Sequence, residues 1–147
     1  MNDDEDGRLI GELLRVPYHA VVRHIQGAFA QAGYPELRPA HMSIFQHVDH
    51  PPHGTRITEL AERAQMTKQS MGQLVTDMER LGFVERIPDP TDQRAKIVRL
   101  TDLGWEMHEA CGAIAKGLEA DWSTRVGAEE FFDLKLRLKG LIASLDG

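Results

Sequence analysis

The sequence predicts a mainly α protein with a small β-hairpin wing, an α+β arrangement, on three observations. Apolar residues recur at helical spacing over most of the 147 residues. Two strand-like runs, Phe83–Ile87 and Lys96–Leu100, are separated by eight residues that include Pro88 and Pro90. Two short helical segments lie directly before that pair, so a helix–helix–hairpin unit sits between long helices. Residues 1–7 read as a solvated acidic tail and 8–147 as a single domain. Within it, 55–100 form one lobe, and 8–32 with 102–147 form a second, helical one.

Taken in order, Leu9 to Ala32 carry a helical apolar pattern interrupted by Pro17, which predicts a kink or a split there. Gly33-Tyr34-Pro35 is a glycine stop followed by a proline. Pro39 can open the next helix, from Ala40 to about Val48. His50-Pro51-Pro52-His53-Gly54 breaks the chain, and Thr55-Arg56-Ile57 is a short strand or a lead-in. Thr58 is the expected N-cap of a helix Glu59–Gln65, and Thr67 that of the helix after it. In this second helix Met71, Leu74, Val75, Met78 and Leu81 make one apolar stripe, and Gly82 supplies the left-handed stop. The eight residues between the strand runs are too long for a tight turn and predict a protruding loop. Thr101 caps a helix from Asp102 to about Arg125, and a last helix starts near Ala128. Leu103, Met107, Cys111, Ile114, Leu118 and Trp122 in the first, with Phe131, Leu134, Leu138, Leu141 and Leu145 in the second, form coiled-coil-like seams. With the first helix these predict a dimerisation unit.

Bulk properties narrow the class. No apolar run approaches the ~20 residues of a membrane span. The start, Met1-Asn2-Asp3-Asp4-Glu5-Asp6, is acidic, the opposite of a signal peptide, and predicts a cytoplasmic protein. One cysteine, Cys111, rules out an intrachain disulfide framework. The net charge of −6 by itself argues against nucleic acid, but it is unevenly spread. From Arg56 to Arg99 there are eight Lys/Arg against seven Asp/Glu, leaving nine against sixteen elsewhere. A few well-placed cations suffice for phosphate binding, because affinity follows local potential.

A helix and a hairpin side by side, each offering polar groups outward, form a device for reading duplex DNA, a winged helix-turn-helix. Thr67, Lys68, Gln69, Ser70, Gln73 and Thr76 lie off the apolar stripe and cluster toward the N-terminal end, which in such proteins meets base edges. Gln can bond adenine bidentately, and Lys can reach guanine or phosphate. In the hairpin tip Asp92 stands two residues before Arg94, placed to hold its guanidinium extended toward a minor groove. Arg86, Lys96 and Arg99 are candidates for phosphate contact. Taken alone, these residues also fit a solvated helix face and an exposed ion pair worth ~0–1 kcal/mol.

The run from about Thr55 to Gly104 resembles the MarR family of bacterial regulators. The carriers are ITELAERAQM, TKQSMGQLVTDMERLGFVER, and DPTDQRAKIVRLTDLG with its Asp-x-Arg wing and closing Leu-Thr-x-x-Gly. The long flanking helices are similar too, while the histidine-rich connector His47 to His53 is outside the pattern. The resemblance implies a homodimer on a pseudo-palindromic operator, with Lys68, Gln69, Ser70 and Gln73 at bases or phosphates and Arg94 in a minor groove. It also implies double-stranded DNA as partner and, in many members, repression relieved by a small aromatic or phenolic ligand or by thiol oxidation.

Such an effector would lie between the long helices and the DNA-reading lobe. Candidate liners are His19, Arg23, Met42, Phe45, Trp105 and His108, residues that equally suit a core. Cys111 sits on an apolar stripe, which suits an inert buried thiol better than a redox sensor. His41, His47, His50, His53 and His108 match no standard zinc spacing, so no metal site or cofactor is expected. No phosphate loop, nucleophile elbow or HExxH motif points to an enzyme. The competing classes are a helical protein-interaction scaffold and a thiol- or metal-responsive regulator of the same fold.

Overall fold

The computed structural model describes residues 7–49 and 54–147; the acidic tail up to Asp6, and His50 and His53, lie outside the described residues. The chain forms two compact units, Met1–Cys111 and Gly112–Gly147.

In the first unit, α1 (Ile10–Gln31) runs through Pro17 as one helix, so the expected split does not occur. It stops where the sequence marks it. Gly33 takes φ +93°, the Tyr34 N–H bonds the Phe29 carbonyl and the Gly33 N–H that of Ala30. Those two bonds close the last turn as a Schellman motif. The next segment begins as a 3₁₀ turn, Pro39–His41, before α2 (Met42–His47). The tightening has a local cause: the Arg38 N–H donates to His41 Nδ1 at 2.9 Å while the His41 N–H returns to the Arg38 carbonyl.

β1 (Thr55–Arg56) leads straight into α3 (Ile57–Arg63). Thr58 is therefore not the N-cap; Arg56 holds that position in extended conformation without a side-chain cap. Pairing of Arg56 with Ile97 keeps the strand intact to the helix boundary, so the helix starts earlier than expected. α3 ends in the same motif as α1, with Gln65 left-handed at φ +54° in place of a glycine. α4 (Lys68–Arg80) follows, its first turn capped by Thr67 Oγ1 accepting the Ser70 N–H at 3.0 Å. Met71, Leu74, Val75 and Met78 are buried as the stripe predicts, and Gly82 closes the helix at φ +85°.

The hairpin corrects the sequence expectation. β2 (Val84–Asp89) and β3 (Asp92–Leu100) pair antiparallel almost to their tips, with a bulge at Pro88/Asp89, so only Pro90 and Thr91 form the turn. The sheet order is β1-β3-β2. Asp89 makes the tight turn possible: Oδ1 accepts the Thr91 N–H at 2.8 Å and its hydroxyl at 2.7 Å. This Asx turn substitutes for the glycine-based signal that a two-residue loop ordinarily shows.

α5 (Asp102–Val126) starts at Thr101, whose Oγ1 accepts the Gly104 N–H at 3.1 Å while its hydroxyl donates to the Gly82 carbonyl. Gly104 is required: a Cβ there would stand 2.0 Å from the Phe83 carbonyl oxygen. The core of this unit joins Phe29, Leu37, Ile44, Phe45, Leu60, the α4 stripe, Phe83, Val98, Met107 and Cys111. In the second unit the end of α5 and α6 (Ala128–Leu145) flank Gly127, with Lys135 bonded to Glu119 at 2.7 Å. No residue of α6 is buried.

Candidate nucleic-acid interface

The Thr67 cap orients the start of α4, and the buried stripe fixes its rotation, so the polar residues are left facing solvent. Lys68, Gln69, Ser70, Gln73 and Thr76 are all exposed. Their surroundings differ. Thr67 and Ser70 are bound up in the cap, with the Thr67 hydroxyl donating to Ser70 Oγ at 2.9 Å. The side chains of Lys68 and Gln69 make no hydrogen bond or ion pair among the described residues and stand at the helix start, where unsatisfied N–H groups favour anions. Gln73 donates through Nε2 to Asp77 Oδ1 at 3.1 Å. The Thr76 hydroxyl donates to the Gly72 carbonyl at 3.0 Å.

Arg86 is turned toward α4. Its Nη2 donates to Thr76 Oγ1 at 2.9 Å and lies 3.5 Å from the Gly72 carbonyl, tying β2 to the helix. Its Nε is buried without a partner. Arg99 pairs with Glu85 across the hairpin.

At the wing, Asp92 Oδ1 accepts the backbone N–H of Arg94 at 3.0 Å. The expected clamp on the guanidinium is thus a clamp on the main chain, which fixes the direction of the strand but leaves the Arg94 side chain exposed and unpaired among the described residues. Lys96 is exposed as well. The wing is anchored at its root, where Arg56 Nε donates to Asp89 Oδ2 at 2.7 Å. The Thr91 N–H and hydroxyl, and then Arg56, stabilise the Asp89 carboxylate and hold its pKa down at about 2.

Under α4 lies a polar contact that sequence reasoning missed. His41, only 2% exposed, places Nε2 3.1 Å from Asp77 Oδ2. The hydrogen bond from His41, followed by that from Gln73, lowers the Asp77 pKa. Thirty-six residues separate the pair, and no local pattern signals it.

The effector candidates do not converge as one set. Phe45 is buried, its ring 6.3 Å from His108, which lies 5.5 Å from Trp105; Met42 packs against the same core. His19 and Arg23 are exposed on α1. A cavity of about 380 Å³ opens at the wing root, between Arg56, Glu59, Ile87, Asp89 and Ile97, and none of the six lines it. Burial raises the Cys111 thiol to about 11, far from a reactive thiolate. Both ring nitrogens of His41 are engaged by Arg38 and Asp77.

A family model described as MarR family matches residues 37–95. No curated protein matches the sequence. Among solved structures, S. aureus MepR in a DNA complex is 21% identical, with a TM-score of 0.77 over 93% of this chain and 98% of that one. Streptococcus pneumoniae FabT in complex with DNA is 17% identical, with a TM-score of 0.77 over 93% and 95%. Apo MarR from E. coli is 19% identical, with a TM-score of 0.74 over 91% and 97%. Residues 37–95, which hold the helix-turn-helix and the wing tip, thus match the MarR family model, and the fold of the chain is the winged-helix fold of the MarR, MepR and FabT structures.

Proposed function

We propose that this protein is a sequence-specific transcriptional regulator, a homodimer that binds a pseudo-palindromic operator and acts as a repressor. The observation that carries the reading is the pairing of two outward, unengaged basic groups on rigid supports. Lys68 stands at the capped start of α4, and Arg94 stands on a strand whose backbone is pinned by Asp92. A capped helix presents its N-terminal residues to a major groove, and a projecting arginine suits the negative potential of a narrow minor groove. Gln69 and Gln73 supply base-reading amides; Lys96 serves phosphates. Arg86 acts on DNA through the helix it braces.

A second copy is the natural cover for the apolar residues left open. Leu9, Ile10, Leu13 and Leu14 at the start of α1 are 43–79% exposed, and Leu134, Leu141, Ile142 and Leu145 on α6 are 41–74% exposed. Patches of that kind mark association surfaces. MepR and FabT were each solved with DNA, which supports the same use of this fold here. A small aromatic effector would be read by Trp105 and His108, the half-buried rings beside Phe45.

The test is fluorescence anisotropy of the purified protein on duplex from upstream of its own gene, titrated with salt. Saturable binding, two chains per site, with affinity falling as a power of several in salt concentration, is the expected result. Binding that stays absent at low salt for that fragment and for a randomised duplex pool would remove the DNA reading.

A further inference from the structure

We infer that Asp77, itself fixed by the buried His41, determines which base Gln73 reads. The inference deepens the DNA reading and rests on α4 being the recognition helix.

The chain of bonds has only one consistent set of donors. The Arg38 N–H donates to His41 Nδ1 at 2.9 Å, so that nitrogen carries a lone pair and the proton of the neutral ring sits on Nε2. Nε2 therefore donates to Asp77 Oδ2, 3.1 Å away. The other carboxylate oxygen, Oδ1, can only accept, so the Gln73 amide must turn its nitrogen toward it, as the 3.1 Å contact shows. One Nε2–H and Oε1 are then left facing outward. A donor and an acceptor side by side are the complement of N7 and N6–H₂ of adenine in the major groove.

The anchor lies in the protein interior, which sets this pair apart from an ordinary helix-surface contact. His41 is 2% exposed and held at both nitrogens, so the carboxylate cannot swing away without leaving a buried donor unsatisfied. An unrestrained glutamine rotates its amide freely and offers either order of donor and acceptor. Asp77 removes that freedom and with it the ambiguity in the base read.

The substitution Asp77→Asn tests this directly. The amide it introduces must keep its oxygen on His41 Nε2–H, which turns its own NH₂ toward Gln73. The Gln73 amide then flips, presenting its oxygen inward and its NH₂ outward, a donor face suited to the acceptors of guanine.

The experiment selects a tight operator from a randomised duplex pool and measures affinity for every single-base change in one half-site. Wild type, Gln73→Ala, Asp77→Asn and the double variant are compared at fixed salt. One base pair is expected to prefer adenine in the wild type by ~10-fold or more, as for one bidentate contact. That preference vanishes in Gln73→Ala and moves toward guanine in Asp77→Asn, with other positions unchanged. The double variant reproduces the Gln73→Ala profile. Asp77→Ala serves as a second variant that keeps a good helix former in place; it should broaden the same position without inverting it. An intact adenine preference in Asp77→Asn, or an equal loss at every base pair, overturns the inference. So does a Gln73→Ala profile identical to wild type, which leaves the DNA reading standing. Wild type failing to bind any duplex in the pool overturns that reading itself.

Discussion

Gly104 and Gln65 occupy positions where one atom decides the local structure. At Gly104 a methyl group would overlap the Phe83 carbonyl, a backbone atom that cannot move aside alone. Gly104→Ala is expected to cost at least ~3 kcal/mol, the upper range for overpacking, measured as a lowered urea midpoint. At Gln65 the effect has the opposite sign. A left-handed non-glycine residue costs ~1–2 kcal/mol, whereas glycine's extra chain entropy costs ~0.5–1 kcal/mol. Gln65→Gly should therefore stabilise by up to ~1.5 kcal/mol, and a lowered midpoint would refute the assignment of strain. Arg94 is exposed and structurally idle among the described residues, so Arg94→Ala should leave folding unchanged. Its effect belongs to binding: a loss of ~1–3 kcal/mol in specific affinity and a salt slope reduced by about one if it meets phosphate charge. Unchanged affinity would exclude the wing arginine from the DNA contact.

The wing shows how an element is held from outside itself. Its turn depends on Asp89, and Asp89 depends on Arg56, thirty-three residues earlier. The folded-state pKa of Asp89 lies below its ordinary 3.8, so the charged form is favoured by folding. That contribution is present in full above about pH 4 and is lost as pH falls toward 2. Asp89→Ala should flatten the acid limb of stability over that window and loosen the wing, weakening DNA binding at neutral pH; an acid limb identical to wild type would remove Asp89 from the account. The same element marks the boundary of what is legible in the sequence. The Thr67 cap, the α4 stripe and the stops at Gly33 and Gly82 are short-range signals and can be read from a few neighbouring residues. The early start of α3 and the His41–Asp77 pair depend on partners far along the chain, and spacing carries no trace of them; the two-residue turn rests on the short-range bond from Thr91 to Asp89, which stands in for the usual glycine signal. Asp92 and Arg94 are recognisable as a pair, but spacing alone does not distinguish a bond to a guanidinium from a bond to a backbone N–H.

At the scale of the whole molecule, the proposed dimer rests on the exposed apolar residues of α1 and α6. Leu141 is 41% exposed in the single chain, so Leu141→Glu should barely disturb the fold of an isolated protomer. If a second copy covers it, the same change buries a carboxylate and should convert dimer to monomer, with loss of operator binding. Sedimentation velocity decides, and an intact mutant dimer would move the interface off this seam. Ahead of β1, Asp49 and Thr55 are locked together: the Asp49 N–H donates to Thr55 Oγ1 at 2.8 Å, and the Thr55 hydroxyl donates to Asp49 Oδ2 at 3.0 Å. Arg63 clamps the same corner through Asp49 and the His47 carbonyl. The side chains of Asp49, Thr55 and Arg63 thus tie the segment after α2 to the start of β1, so the placement of β1, and with it the start of α3, is set from the preceding helix.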